Sequence, residues 1–202
     1  MTTFLLIRHA QTDMVDSALA GRMAGVHLNQ MGRAQAERLA ARLADIKIAG
    51  IYSSPLARAQ ETAARIAARQ ALEVRTLEEI GEIDYGDWTG RGFDDLARDP
   101  DWHRFNAMRS LARVPNGEMM IEAQARMVAA LERLRLAHPE ETVAIISHGD
   151  LIKAAVAHYL GVPLDLFQRI TISPASVGVI IIDAQAVRVL AVNHTDGMAL
   201  SG

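Results

Sequence analysis

The chain has 202 residues, of which 22% are charged, and a formal net charge of −3; that length fills one sizeable core, and the acidic balance excludes a general nucleic-acid binder, which needs a basic face. No cysteine is present, which excludes a disulfide scaffold, a thiolate zinc site and a cysteine nucleophile. The start MTTFLLIRH has neither the basic segment nor the apolar length of a signal peptide, and no apolar run reaches membrane-spanning length, so a cytoplasmic protein without a membrane partner is expected.

Phe4–Ile7 is a short apolar run that predicts a buried strand. Residues 13–28 read as a loop. Asn29 then caps a helix reaching about Asp45, with Met31, Leu39, Leu43 and Ile46 on its apolar face. Ile48–Ser53 predicts a second strand. Ser54 as N-cap and Pro55 at the first helical position start a helix that runs to about Gln70. Glu73–Leu77 predicts a third, short strand, and residues 78–92, with four glycines, a loop. Residues 93–116 read as short helices broken by Pro100 and Pro115. A long helix follows over Glu118 to Ala137, before Pro139. Thr142–Ser147 is a strong buried strand, and Gly149 to Leu160 a helix closed by Gly161 and Pro163. Val177–Asp183 and Val187–Val192 predict strands around a turn at Ala184–Ala186, and the last residues a frayed end. The apolar Val177–Ile182 suits either a core position or a homodimer interface.

Strands alternating with helices predict an α/β fold of three layers, helix–sheet–helix, with a mostly parallel sheet. One domain is expected over residues 1–202, with a cap inserted at about 93–116.

Three polar signatures follow strand ends, where open α/β sheets collect their ligands. "IRH" ends the first strand, "SSPLAR" follows the second, and "ISHG" ends the strand at Ile146. Arg8, His9, Arg58 and His148 therefore converge near helix N-termini that favour anions. Such a cluster suits a phosphate group. Guanidiniums bind its oxygens; one imidazole can attack phosphorus, and the other can donate to developing charge. Positive neighbours keep the nucleophile uncharged, and positioning with charge compensation serves phosphoryl transfer without a metal. "EIDYGDWTG" (82–90) supplies an acid for the leaving alkoxide, with Glu82 favoured over Asp84 and Asp87. A bound phosphate anion would raise the Glu82 pKa toward neutrality.

Arg8-His9-Ala10-Gln11-Thr12 resembles the "RHG" signature of the histidine phosphatase superfamily, also called phosphoglycerate mutase-like. Further matches follow in the family's order. They are Gly32-Arg33-Ala34-Gln35-Ala36, Ser53 to Thr62, Glu82 with Gly86-Asp87-Trp88-Thr89-Gly90, and Ser147-His148-Gly149. The resemblance implies a His9 nucleophile that becomes phosphohistidine, a phosphate pocket of Arg8, Arg58 and His148, and Glu82 as proton donor and then base for water. It implies no metal and no organic cofactor. Ala10 replaces the family's usual Gly, and Gln11 stands where many members have Glu. Met14 and Val15 replace the Trp-Asn pair that often follows the signature in mutases. Gly21-Arg22 loosely resembles a loop that reaches the substrate, and "PNGEMM" (115–120) partly resembles "P-G-G-E-S".

These readings converge on a phosphoric monoester hydrolase acting on a small phosphorylated metabolite. Its candidate site is His9, Glu82, His148, Arg8 and Arg58, with Gln11, Thr12 and Arg22 as further substrate contacts. A phosphomutase and a non-catalytic phospho-ligand binding protein are the alternatives. His27, His103, His138, His158 and His194 read as structural or surface residues. Trp88 and Trp102 fit a pocket wall or simple packing equally. Arg104, Arg109 and Arg113 fit either the cap surface or contact with the non-phosphate part of the substrate.

Overall fold

Along β1 (Thr2–Arg8), Phe4 and Leu6 enter one hydrophobic cluster, and Leu5 and Ile7 another, and all four are fully buried. A strand apolar on both sides belongs inside a sheet covered by helices on both faces, and that is the architecture here. The computed structural model describes residues 1–195; the expected frayed end lies outside the described residues. After β1 come α1 (Gln30–Arg42), β2 (Gly50–Ser53), α2 (Ala57–Gln70) and β3 (Val74–Thr76). Two short helices, α3 (Phe93–Leu96) and α4 (Pro100–Ala107), precede α5 (Met120–Ala137), β4 (Thr142–Ser147) and α6 (Gly149–Leu160). β5 (Val177–Ile182) and β6 (Val187–His194) close the chain, and 3₁₀ turns occupy Glu78–Ile80, Gly86–Trp88 and Leu164–Arg169.

The strands form one sheet in the order β3-β2-β4-β1-β5-β6. β3, β2, β4 and β1 are mutually parallel, whereas β5 and β6 run antiparallel. α1 and α2 cover the Leu5–Ile7 face, through Ala36, Leu39, Ala63 and Ile66. α5 and α6 cover the Phe4–Leu6 face, through Met127, Leu131, Leu151 and Val156. This is the expected helix–sheet–helix fold with a mixed, mostly parallel sheet. β5 lies between β1 and β6, so its apolar run is core. Among the described residues no helix is long and apolar enough to cross a membrane.

Several boundaries differ from the sequence reading for local reasons. Asn29 caps α1 as expected, its Oδ1 accepting from Gly32 N at 2.8 Å. Met31, however, is 62% exposed; the buried face is Gly32, Ala36, Leu39 and Ala40, continued by Leu43. Small residues take that face because α1 packs closely there. A Cβ on Gly32 would lie 2.0 Å from Gln11 O, so this glycine lets the helix touch the loop after β1. Ser54 is not the cap of α2. The helix starts two residues later than Pro55, with Leu56 at the N-cap position, and Ser54 serves the site described below. α5 begins at Met120 rather than Glu118, because Glu122 reaches back to the Met119 amide at 2.8 Å. Glu118 is thereby left to bind loop groups.

The 82–90 loop crosses the segment before α5 at backbone contact. Gly86 has φ +41, and a Cβ there would lie 2.1 Å from Pro115 O; a Cβ on Gly117 would lie 2.3 Å from Asp84 O. Asp87 N donates to Pro115 O at 3.0 Å and Glu118 N to Asp84 O at 3.0 Å. Gly25 also has positive φ but has nothing within 4 Å of its Cβ direction. Gly86→Ala should therefore cost at least about 2 kcal/mol, from strain plus the clash, lowering Tm by about 4–8 °C. Gly25→Ala should cost only about 1 kcal/mol, from the left-handed backbone alone. Equal thermal shifts for the two variants would show that the crossing is not tight.

Candidate active site

β1 and β4 are parallel neighbours in the register Ile7↔Ile146 and Arg8↔Ser147. The residue after each strand is a histidine, so the register alone brings His9 and His148 to the same height. The His9 amide donates to Ser147 O at 2.9 Å, and the two imidazole centroids are 5.2 Å apart. On the other side of β4, β2 pairs Ser53 with Ile146, which places Ser54 beside His148 and Arg58 in the first turn of α2. The predicted convergence of two histidines and two arginines is present. Arg8, His9, Arg58 and Glu82 line one cavity of about 280 Å³, with fully buried His148 packed against His9 and Glu82.

Hydrogen bonds set the state of each imidazole. His9 Nδ1 lies 2.8 Å from Ala10 O. A carbonyl only accepts, so Nδ1 carries the proton and Nε2 keeps the lone pair. Arg58 Nε donates to that Nε2 at 3.3 Å. His148 Nε2 lies 2.7 Å from Ser54 Oγ, which itself accepts from Leu56 N at 3.3 Å. Ser54 has no other acceptor for its hydroxyl proton among the described residues. It therefore donates to His148 Nε2 and leaves the imidazole proton on Nδ1. That nitrogen is 3.8 Å from Glu82 Oε2.

Burial, reinforced by Arg58 and then Arg8, holds the His9 pKa well below its usual value. Burial, Arg58 and His9 do the same to His148. Both rings are uncharged near neutral pH. The sequence reading assigned this effect to positive neighbours; desolvation is the larger cause. Glu82 moves the other way, up to about 7, because it is buried and because Asp150 adds a negative charge nearby; Arg58, the Ile83 amide and Arg8 oppose the rise. The acid form is thus favoured without any bound anion.

Among the described residues, three buried donors around His9 lack a hydrogen-bond partner, Arg8 Nε, Arg58 Nη1 and His148 Nδ1, and Arg109 Nε in the cavity wall is a further one. The rest of each guanidinium is fixed. Arg8 Nη1 donates to Ile172 O and Arg58 Nη2 to Gly21 O, both at 2.7 Å. Unsatisfied buried donors are costly, and the two guanidinium donors in the cavity wall, with His148 Nδ1 packed behind them against His9 and Glu82, suit a polyvalent acceptor. Gly149 belongs to the same design, because a Cβ there would stand 3.2 Å from Arg8 Nε.

The other sequence candidates divide. Thr12 is buried and lines the cavity. Gln11 is not in the wall; its amide donates to Gln35 Oε1 and its carbonyl accepts from Asn29 N, which ties the loop to α1. Arg22 is exposed and also outside the wall; its Nε donates to Glu82 O at 2.8 Å, which ties down the backbone of Glu82. Asp84 and Asp87 hold loop groups through Gly86 N and Asn116 Nδ2. Of the cap arginines only Arg109 lines the cavity; Arg104 is exposed, and Arg113 pairs with Glu122. Trp102 lines the cavity, whereas Trp88 is buried packing, edge-on to Trp102 and Phe105. His27 pairs with Glu61, and His138 with Tyr52 and Glu141, away from the site.

Sequence reasoning missed several residues. Thr62 Oγ1 accepts from Ala10 N and positions the residue after His9. Arg126 donates to the carbonyls of Glu79, Gly81 and Glu82 and pairs with Glu118, which also accepts from Asp84 N. Asp150, Lys153, Tyr85 and Gln168 are further wall residues. Asp150 and Lys153 had a signal in the i, i+3 spacing from the first turn of α6; Tyr85 lay inside the quoted loop and was passed over. Among the described residues no group of three or more His, Asp and Glu side chains is arranged to hold a metal ion.

Two guanidiniums and two uncharged imidazoles around one anion-sized spot, with a carboxylic acid beside them, define a phosphoryl-handling site of the histidine-dependent type. The chain belongs to the histidine phosphatase superfamily, branch 1, whose family model matches residues 4–195. It is 31% identical over 200 residues to phosphoserine phosphatase 1 of Hydrogenobacter thermophilus, spanning 96% of this chain and 93% of that one. Among solved structures it is similar to Bacillus stearothermophilus YhfR, with 29% identity and a TM-score of 0.90 over 96% of this chain and 98% of that one. A mycobacterial glucosyl-3-phosphoglycerate phosphatase follows the same fold at 26% identity and a TM-score of 0.84, over 95% and 98% of the two chains. Longer Mycobacterium tuberculosis relatives, 31% identical over 180 residues, are matched along half of their length. The chain is a phosphatase-type enzyme, a phosphomonoester hydrolase of the kind that works through a catalytic histidine.

The tautomer assignment is directly measurable. At pH 6, long-range ¹H–¹⁵N spectra should show His9 neutral, with its proton on Nδ1. An imidazolium there, or a proton on Nε2, would overturn the assignment.

Proposed function

We propose that the protein hydrolyses phosphate monoesters of small metabolites through a phosphohistidine at His9, without a metal ion. The three partnerless donors Arg8 Nε, Arg58 Nη1 and His148 Nδ1 carry this reading. A phosphoryl group accepts from all three while its phosphorus faces His9 Nε2. The imidazole lone pair forms the P–N bond as the ester P–O bond breaks, and Glu82 gives its proton to the departing oxygen. Ala10 O, already bonded to Nδ1–H, stabilises the positive ring that results. In the second step water gives a proton to the Glu82 carboxylate, and its oxygen attacks phosphorus. The P–N bond breaks, inorganic phosphate leaves and neutral His9 is restored. Arg8 and Arg58 supply the charge compensation that phosphoryl transfer needs.

The substrate is small because the cavity is. Met14, Val15, Leu19, Phe93 and Trp102 form an apolar wall opposite the charged floor. Water rather than a second alcohol is the acceptor in this reading. Support comes from the apolar Met14 and Val15, which stand where mutases carry Trp-Asn, and from relatives named as phosphoserine and glucosyl-3-phosphoglycerate phosphatases.

His9→Ala should lower kcat by at least about 10⁴-fold and abolish the acid-labile phosphoenzyme trapped by rapid quench; normal turnover would remove His9 from the nucleophile role. Glu82→Gln should cut kcat/KM for alkyl phosphates by about 10²–10⁴-fold, with far less loss on 4-nitrophenyl phosphate, whose leaving group needs little protonation. Equal loss on both substrates would exclude Glu82 as the acid. With 3-phosphoglycerate and trace bisphosphate, wild type should release inorganic phosphate. Isomer formation without phosphate release would make the enzyme a mutase.

A further inference from the structure

Asp150 is an unexpected residue for this cavity. It puts a carboxylate into the wall of a site built to bind an anion, two residues beyond His148. Its surroundings hold it rigidly. Oδ2 accepts from the Tyr85 hydroxyl at 2.8 Å and from Arg109 Nη1 at 3.1 Å, and Oδ1 from Lys153 Nζ at 3.2 Å. Arg109, 1% exposed, is fixed in turn between the rings of Phe105 and Phe167, at 4.6 and 4.5 Å, and Lys153 is shared with Gln168 Oε1 at 3.1 Å. Against the upward push of burial, Arg109, Lys153 and the Tyr85 hydroxyl bring the Asp150 pKa down to about 2. The group is a permanent negative charge with no freedom to swing away.

We infer that Asp150 is a positioning residue for the reaction: a fixed negative charge, clamped by Tyr85, Arg109 and Lys153, that keeps Glu82 in its acid form. The inference rests on Glu82 being the proton donor. Glu82 faces Arg8 from β1, Arg58 from α2 and His148 from the end of β4, while Arg22 and Arg126 donate to its own carbonyl. Both guanidiniums that hold the phosphoryl group therefore draw the proton off the acid. Asp150 lines the same cavity as Glu82 and opposes them, and among the described residues it is, after burial, the largest cause of the raised Glu82 pKa. The two groups are also joined by short stretches of chain and one hydrogen bond, Tyr85 to Asp150. Tyr85 lies three residues beyond Glu82 in one loop, and Asp150 two beyond His148 in α6. A carboxylate in an anion site weakens phosphate binding; it is tolerated here because without it the same cations would favour the ionised form of Glu82 and the proton would pass to solvent.

The test is the pH profile of kcat/KM for an alkyl phosphate. Wild type should show a falling alkaline limb as Glu82 loses the proton it must give, and Glu82→Gln should lack that limb. Asp150→Asn should move the limb down by about one pH unit. Lys153→Gln, which removes a counter-charge and leaves Asp150 held by Arg109 and Tyr85, should move it up. If Glu82→Gln keeps the limb, the reading of Glu82 as acid has failed. If Glu82→Gln abolishes it but Asp150→Asn leaves it in place, the role given to Asp150 is overturned. Should Asp150→Asn fail to fold, an unmoved or lowered limb in Lys153→Gln overturns it equally.

Discussion

The parallel pairing of β1 with β4 is the constraint on which the site depends. Both strands are buried on both faces, so their register is fixed by the core and not by the catalytic residues. A slip of one residue would send Leu5 and Ile7 into the layer occupied by Phe4 and Leu6, and it would also separate His9 from His148. The core that specifies the register therefore specifies the distance between the two imidazoles. β2, paired to the free side of β4, adds Ser54 and Arg58 by the same logic. Thr62, one turn beyond Arg58, closes the arrangement by accepting from Ala10 N. The chain enters β1 first and β4 much later, and β4 slots between β1 and β2. The helices leaving β1 and β4 consequently diverge to opposite faces, and the opening between them is where open α/β sheets bind ligands.

A second consequence follows from putting cations there. Burial lowers the pKa of both Arg8 and Arg58, although each stays a cation, and their unpartnered N–H groups destabilise the fold. The same burial and charge keep His9 and His148 neutral. A neutral imidazole with its proton held by Ala10 O presents a lone pair, and one with its proton on Nδ1 presents a donor. One electrostatic environment thus yields a lone pair and a hydrogen-bond donor from the same side-chain type. What differs between them is the local partner, a carbonyl in one case and a serine hydroxyl in the other.

The legible part of the sequence was the part written in short, contiguous signals. Apolar runs and caps gave the strands, α1 and α6 in their correct order, and strand-end position gave Arg8, His9, Arg58 and His148. Residues whose meaning depends on distant partners were misread. Ser54 has the composition of a cap, yet its hydroxyl is taken by His148, 94 positions away. Glu118 looks like the start of a helix, yet its carboxylate binds the loop of Glu82. Met31 fits a 3.6-residue stripe, but α1 meets the sheet through glycine and alanine, so the larger side chain faces solvent. Gln11 and Arg22, expected as substrate contacts, lie outside the cavity wall; the Gln11 backbone amide bonds Gln35 and Arg22 bonds the Glu82 carbonyl. Arg109, Asp150 and Tyr85 come from three separate segments, and nothing in any one segment announces the cluster.

That cluster joins the two halves of the cavity. The phosphoryl end is built on strand ends and first turns, whose positions the sheet dictates. Another part of the wall comes from the loop carrying Met14 and Val15 and from the segment carrying Phe93, Trp102 and Arg109, where Trp88 packs edge-on to the stacked rings of Trp102 and Phe105 in a small aromatic core. Loops vary at less cost than strand ends, so that wall can change shape while the residues at the strand ends keep their places. Arg109 crosses from the variable wall to Asp150 on the constant one. Its charge is therefore felt both in the loop-built wall and, through Asp150, beside Glu82. A change at Arg109 alters the shape of that wall and the charge next to Glu82 in the same stroke.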